Sequence, residues 1–90
     1  MIIISYDIED DKKRSRFYKY LKKFGHRLQY SVFQINNSER ILGIINHDIV
    51  NKFQKEFDNS DSIYIFHIND SKIQRFGYAE NEIKDYIIVK

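Results

Sequence analysis

The first apolar segment of the chain is a short run of mostly β-branched residues that ends in acidic ones. Residues 2–8 read IIISYDI and are followed by three acidic residues. Such a run is typical of a buried central strand. Because aspartate is a preferred N-cap, Asp10 or Asp11 is expected to begin a helix that runs to about Phe24 and stops at Gly25.

The predicted first helix has an apolar face and a basic face. The apolar positions recur at helical spacing and are Phe17, Tyr20, Leu21 and Phe24. The basic positions on the opposite side are Lys12, Arg16, Lys19, Lys22 and Lys23. Between Lys12 and Arg27 there are eight basic residues, including Lys13, and no acidic one. This block fits either a solvated helix face or a stripe that contacts phosphates.

The middle of the chain predicts one strand and a second helix. Residues 27–35 alternate at period two and are expected to form a single strand. One face of it carries Leu28, Tyr30, Val32 and Gln34, and the other carries Arg27, Gln29, Ser31, Phe33 and Ile35. Ser38 then opens a helix that ends near Asn59, with apolar residues at every fourth position from Ile41 to Phe57.

The complete order of predicted elements is strand, helix, strand, helix, strand, strand, with the last two strands at residues 61–68 and 85–89. This order indicates an α+β, ferredoxin-like sandwich in which two helices pack on one face of a mainly antiparallel sheet. We expect one domain over residues 1–90, with its core in about 1–68 and a looser tail in 69–90. The extra C-terminal strand needs a sheet edge, and pairing with a partner subunit in a homodimer would supply one.

Composition and charge narrow the class of protein. The chain has no cysteine, so disulfides and cysteine-based zinc sites are excluded. No apolar run approaches the roughly 20 residues that span a bilayer, and the first residues lack the basic region of a signal peptide. We therefore expect a cytoplasmic protein without a membrane partner. Residues 1–40 carry nine Lys and Arg against five Asp and Glu, so the basic charge is concentrated in this part.

Asp7, at the end of the first strand, is the main candidate for chemistry. Motifs such as HExxH, a Gly-rich phosphate loop and GxSxG are missing, and the three histidines fall on different elements. Asp7 fits a helix cap, an ion pair with Arg27, or a ligand of Mg²⁺, which prefers carboxylate oxygens. A single carboxylate per chain is a small number of protein ligands for a metal ion. In a two-fold dimer, two copies of Asp7 are able to share one ion.

Several other residues have both a structural and a functional interpretation. Arg14, Arg16 and Arg27 are either ordinary surface arginines or, together with Asp7, a set suited to phosphate oxygens. Phe33 fits core or dimer packing better than base stacking. Ser31 has no evident histidine and aspartate partners, which argues against a serine nucleophile.

Three segments together resemble the small CRISPR-associated adaptation protein, the Cas-two family. They are Tyr6-Asp7-Ile8 with the following DDKKR, then GHRLQYSVF at residues 25–33, and DSIYIF at residues 61–66. The resemblance covers almost the whole chain in the same order, and RLQYSVF is its most specific part. It implies a ferredoxin-like homodimer whose C-terminal strand pairs with the other subunit.

The resemblance also implies a function and a site. The dimer would be the central piece of the spacer-acquisition complex, flanked by integrase subunits (the Cas-one family) and holding duplex DNA on its basic surface. Family members are described as metal-dependent nucleases of RNA or double-stranded DNA, with the strand-one aspartate on Mg²⁺; that residue is Asp7 here. The other matching site positions are Tyr6, Arg14, Arg16, Arg27, Ser31 and Phe33.

Two functions therefore remain open at this point. One is a Mg²⁺-dependent endonuclease in CRISPR antiviral defence, and the other is a non-catalytic scaffold that binds duplex DNA for the integrase. Both need the dimer and the basic stripe, whose members include Lys12 and Lys13. A ferredoxin-like module that binds a small regulatory molecule is a third interpretation, and both the basic block and the missing Gly-rich loop argue against it.

Overall fold

Four antiparallel strands form one sheet in the order β2-β3-β1-β4 in the computed structural model, which describes residues 1–77 apart from the side chain of Asp70. The strands are β1 (Ile2–Asp7), β2 (Gly25–Gln29), β3 (Val32–Ile35) and β4 (Ser62–His67). The helices are α1 (Asp11–Leu21) and α2 (Glu39–Asp48). This is the ferredoxin-like α+β arrangement that the sequence predicts, with β1 in the interior of the sheet. The predicted strand at residues 85–89 lies outside the described residues.

The predicted single strand over residues 27–35 is wrong, because the chain reverses at Tyr30 and Ser31 and forms the hairpin β2–β3. Ser31 has a left-handed φ of 66°, as tight hairpin turns require. The two-residue turn and an irregularity between Arg27 and Gln29 change which side chains of this segment face the same side of the sheet. Phe33 therefore points into the core, whereas Tyr30 is 70% exposed at the tip of the turn.

Both helices begin at the predicted caps. The Asp10 carboxylate accepts a hydrogen bond of 3.0 Å from the Lys13 N–H, and the Ser38 hydroxyl accepts one of 3.3 Å from the Ile41 N–H. α1 ends at Leu21, earlier than predicted, and Gly25 is the first residue of β2 rather than the helix stop. α2 continues as a π-helical turn, Ile49–Phe53, and a 3-10 turn, Gln54–Glu56. We call residues 49–56 the α2 extension.

The core lies between the sheet and the two helices. Alternate side chains of β1 point toward the helices and contact side chains of β3 and of the helices. The largest fully buried residues of this core are Ile4, Phe17, Leu21, Phe33, Ile35 and Ile45. The ring of Phe17 packs edge-on against Tyr6 and Phe53, with centroids 5.1 and 5.0 Å apart. These contacts fix α1 and the α2 extension side by side on the sheet.

The other side of the sheet, which we call the open face, lies opposite the core that α1 and α2 cover. It is formed by Ile3, Ser5, Asp7, Val32, Gln34, Tyr64 and Phe66. Tyr64 pairs with Ser5 and is 61% exposed, and Phe66 pairs with Ile3 and is 43% exposed. Within this part of the chain, none of the helices has the length and apolar character needed to cross a membrane.

Candidate nucleic-acid interface

Asp7 is the last residue of β1 and lies exposed at the end of the open face, opposite Ser62 of β4. The interpretation of Asp7 as a helix cap is wrong, because Asp10 caps α1. The ion pair with Arg27 is also wrong, because that guanidinium lies over the Tyr18 ring, 5.0 Å from its centroid. Among residues 1–77, nothing forms a hydrogen bond or ion pair with the Asp7 carboxylate. Its oxygens are therefore not engaged by this part of the chain.

The acidic residues and histidines among residues 1–77 do not make a metal centre by themselves. Within the described part of the chain, no group of three or more His, Cys, Asp or Glu is close enough to hold an ion. Mg²⁺ takes an octahedral oxygen shell and is often held by one or two carboxylates plus waters. Among residues 1–77, Asp7 supplies one such ligand, and a second carboxylate from a partner chain would make a pair suited to Mg²⁺.

Two side chains pin the loop that follows Asp7. The Asp61 carboxylate accepts hydrogen bonds from the backbone N–H groups of Asp58, at 2.9 Å, and Glu9, at 3.0 Å, and these bonds lower the pKa of Asp61. Arg14 donates from the other side to the carbonyl oxygens of Ile8, at 3.0 Å, and Glu9, at 3.1 Å. The position of Asp7 is thus set by its strand and by a loop held at both sides. Nothing local in the sequence signals the role of Asp61.

Arg14, predicted to bind nucleic acid, is engaged within the chain. Besides the two carbonyl groups, its guanidinium pairs with the Asp11 carboxylate, and this hydrogen bond raises the pKa of Arg14. Its guanidinium carbon also lies 5.8 Å from the ring centroid of Tyr30 at the hairpin tip. In this structure Arg14 shapes the loop after β1 and links it to the hairpin.

Arg16 and Lys13, also predicted to bind nucleic acid, contact the α2 extension. The two guanidinium nitrogens of Arg16 donate to the two carboxylate oxygens of Glu56, at 2.6 and 3.3 Å. Lys13 Nζ donates to the Glu56 carbonyl oxygen at 2.6 Å and lies 3.8 Å from the Asp58 carboxylate. These contacts hold the end of the α2 extension against α1.

Tyr6, Ser31 and Phe33 lie together on the helix side of the sheet. Burial raises the pKa of Tyr6, while a hydrogen bond with the Ser31 side chain and the charge of Arg27 act in the opposite direction. The Tyr6 hydroxyl therefore stays protonated at neutral pH and is not suited to act as a base. Phe33 is fully buried and its ring lies 5.5 Å from that of Tyr18, which confirms the core interpretation of this residue.

The remaining cations of α1 form a basic surface on its outer side. Lys12 and Lys19 make no hydrogen bond or ion pair with any described residue. They line a shallow depression of about 450 Å³ together with Asp11, Ser15 and Arg16. Next to it, Arg16 and Lys19 also line a groove of about 230 Å³ between α1 and the α2 extension. The described contacts do not join this basic surface to Asp7, so the predicted set does not form one pocket in a single chain.

Comparison with known proteins gives a consistent result. Residues 1–76 match the model of the family described as "CRISPR associated protein Cas2". The chain is 39% identical over 74 residues to a protein of Chloroflexus aurantiacus named CRISPR-associated endoribonuclease Cas2 3, a match that covers 81% of this chain and 75% of that protein. It is 33% identical to a similarly named protein of Francisella tularensis subsp. novicida, over 93% of this chain and 87% of the other.

Two solved structures share the fold. The crystal structure of Streptococcus pyogenes Cas2 at pH 6.5 superposes with a TM-score of 0.60 at 22% identity, over 76% of this chain and 84% of that one. A hypothetical protein from Thermus thermophilus superposes with a TM-score of 0.66 at 25% identity, over 91% of this chain and 93% of that one.

Proposed function

The chain belongs to the CRISPR-associated protein Cas2 family, and from this premise we propose that it serves CRISPR adaptation as a homodimer that binds duplex DNA. In this proposal the dimer is the central scaffold of the spacer-acquisition complex, between integrase subunits of the Cas-one family. The observation that carries the DNA-binding part is the outer side of α1, where Lys12 and Lys19 lie exposed without a described anionic partner. Such uncompensated cations bind phosphates and release counterions.

The open face supports the homodimer. Tyr64 and Phe66 are exposed on this face, with ring centroids 6.1 Å apart, next to Ile3 and Val32. Exposed aromatic clusters of this kind mark protein interfaces. A two-fold axis near this face would bring Asp7 of one chain toward its own copy, because a two-fold interface contacts itself.

The dimer also gives Asp7 a catalytic role in our proposal. The relatives are named endoribonucleases, and we extend that class to this chain as Mg²⁺-dependent hydrolysis of RNA or double-stranded DNA. Two Asp7 carboxylates would hold one Mg²⁺, which supplies Lewis-acid polarisation of the phosphodiester and a bound water of lowered pKa. Ser31 stays bonded to Tyr6 and Phe33 stays in the core, so both would support this site rather than react in it.

A non-catalytic scaffold is the second candidate. It is favoured by the internal contacts of Arg14, which donates to the Ile8 and Glu9 carbonyl oxygens and pairs with Asp11. A nuclease that used this arginine on phosphate would first have to break all of these contacts. A scaffold needs only the dimer and the basic surface.

Duplex binding as a function of salt tests the proposal. We expect log affinity to fall linearly with log salt, with a slope of about −0.9 for each phosphate contacted. The double variant Lys12→Gln with Lys19→Gln should make the slope of log affinity against log salt shallower by about 1.8, because two phosphate contacts are lost. Lys72→Gln, outside α1, should leave this slope unchanged. Binding that does not respond to salt, or no binding, would contradict the proposal. Analytical ultracentrifugation of the protein without DNA measures its mass in solution and so tests whether it is a dimer.

A further inference from the structure

The groove between α1 and the α2 extension combines cations with an aromatic floor. It is lined by Arg16, Lys19, Tyr20, Lys23, Lys52, Phe53 and Glu56. The rings of Tyr20 and Phe53 form the floor, with centroids 4.9 Å apart. Four of the lining side chains are cationic and one is a carboxylate. The groove therefore has a charge excess that suits an anion.

Three lysines supply most of this charge from two different elements. Lys19 lies on α1, Lys23 lies in the turn that follows α1, and Lys52 lies across the groove on the α2 extension. Lys23 Nζ is 6.0 Å from the ring centroid of Tyr20, and Lys52 Nζ is 5.8 Å from that of Phe53. None of the three ammonium groups has an ion pair with a described carboxylate. The ammonium groups of Lys23 and Lys52 therefore lie close to the aromatic floor, and no described carboxylate competes with an anion for any of the three lysines.

The Arg16 guanidinium is the group in this groove best suited to bind a phosphate, and in the free protein it is paired with the Glu56 carboxylate. A carboxylate and a phosphodiester present the same paired oxygens to a guanidinium. The Arg16 and Glu56 side chains are 58% and 41% exposed, so water and salt screen the attraction between their charges. A phosphate that enters the groove is thus able to replace the Glu56 carboxylate at little cost.

We propose that this groove binds the phosphodiester backbone of duplex DNA through Lys19, Lys23 and Lys52, and that Glu56 is an internal competitor that holds Arg16 until a phosphate displaces it. The inference rests on the proposed DNA-binding function and extends the contact surface from α1 onto the α2 extension. The groove shares Arg16 and Lys19 with the depression on the outer side of α1. One backbone is therefore able to follow both.

Two single substitutions with charge-matched controls test the two halves of the proposal. Lys52→Gln should weaken duplex binding about fivefold and make the salt slope shallower by about 0.9, because one phosphate contact is lost. Lys55→Gln removes the same charge from the same extension at a residue that does not line the groove. It should change affinity by less than about twofold, which is the size expected of a net-charge effect alone.

Glu56→Gln should strengthen binding severalfold and steepen the salt slope by about 0.9, because Arg16 becomes free to contact a phosphate. Glu39→Gln removes an equal charge at the start of α2, at a residue that does not line the groove, and should have a smaller effect. The Lys13 bond to the Glu56 carbonyl oxygen does not depend on the Glu56 side chain, so the extension stays attached. In an Arg16→Gln background the gain from Glu56→Gln should vanish, as a double-mutant cycle requires of residues that act together.

The groove proposal is overturned if Lys52→Gln behaves like Lys55→Gln, or if the gain from Glu56→Gln persists without Arg16. Both results can occur while the wild type still binds duplex DNA in a salt-dependent way, and then only the groove is wrong. If the wild type shows no such binding, the proposed function itself fails. Thermal unfolding of each variant verifies that the fold is retained.

Discussion

The Tyr20 hydroxyl donates a hydrogen bond to the Asp48 carboxylate at 2.6 Å, and this bond joins α1 to α2. The two residues are 28 positions apart in the chain. Burial of the Tyr20 side chain, together with the bond to Asp48, raises the pKa of the Tyr20 hydroxyl well above its ordinary value. The protonated tyrosine is therefore part of the contact between the two helices that cover the sheet.

Tyr20→Phe should lower the free energy of unfolding by about 1–2 kcal/mol, because it leaves the partly buried Asp48 carboxylate without its donor. Urea denaturation at neutral pH measures this loss. Tyr18→Phe is the matched control, since the Tyr18 hydroxyl has no hydrogen bond with any residue among 1–77, and it should change stability by less than about 0.5 kcal/mol.

The same contact gives a dependence of stability on alkaline pH. A group whose pKa is raised in the folded protein stabilises the fold fully below its unfolded pKa, which is about 10 for tyrosine, and this contribution is lost as the pH rises through the folded value. The stability difference between wild type and Tyr20→Phe should therefore be constant up to about pH 10 and shrink above it. A difference that grows with pH would contradict the assignment.

Gly25 and Gly43 give opposite predictions for the same substitution. A Cβ at Gly25 would lie 1.9 Å from the Gln34 carbonyl oxygen in the neighbouring strand, which no side-chain rotation relieves, whereas a Cβ at Gly43 meets nothing within 4 Å. Gly25→Ala should cost about 3 kcal/mol or more. Gly43→Ala, in the middle of α2, should stabilise by about 0.5–1 kcal/mol. Thermal unfolding of the two variants distinguishes these signs, and equal effects would contradict the register of β2 and β3.

The local parts of the fold could be predicted from the sequence. The caps Asp10 and Ser38 and the buried strand β1 follow from residue type and periodicity over a few positions. The hairpin at Tyr30 and Ser31 was missed because a two-residue turn between two alternating strands leaves an apparently continuous pattern. A serine in the left-handed region carries no strong turn signal, unlike Asn-Gly.

The site was predicted only in part, since it depends on contacts that are distant in sequence. The partner of Arg16 is Glu56, 40 residues away, and the residue that holds Glu9 is Asp61, 52 residues away. Whether an arginine is free for phosphate or paired within the chain is decided by such contacts. The sequence identifies the residue types of the basic surface, and the fold decides which of them are available.

Ser31 offers a test of the turn and of its bond to Tyr6. Ser31→Ala and Ser31→Gly both remove the hydroxyl that Tyr6 contacts, but only glycine relieves the left-handed φ of 66°. The glycine variant should therefore be more stable than the alanine variant by about 1 kcal/mol, the approximate cost of this backbone region for an L-residue. Chemical denaturation of the pair gives the difference directly. If alanine were the more stable variant, the hairpin geometry at Ser31 would be wrong.

Asp7→Asn tests whether the nuclease is separable from DNA binding. Because the Asp7 carboxylate is exposed and has no partner among the described residues, its loss should change the free energy of unfolding by less than about 0.5 kcal/mol. The variant should lose Mg²⁺-dependent cleavage of RNA and double-stranded DNA, since an amide is a poor ligand for this ion, yet keep wild-type duplex affinity. Glu39→Gln, an exposed carboxylate at the start of α2, should cleave like the wild type.

The outcome for Asp7→Asn also decides between the two candidate functions. Cleavage that persists in the variant would place the reaction at another residue. If the variant loses cleavage and still supports spacer integration, the scaffold is the biological role and the metal site an accessory one. If integration is lost together with cleavage while duplex affinity and the dimer are retained, the Asp7 carboxylate is needed for the adaptation reaction itself, because nothing else in the molecule would have changed.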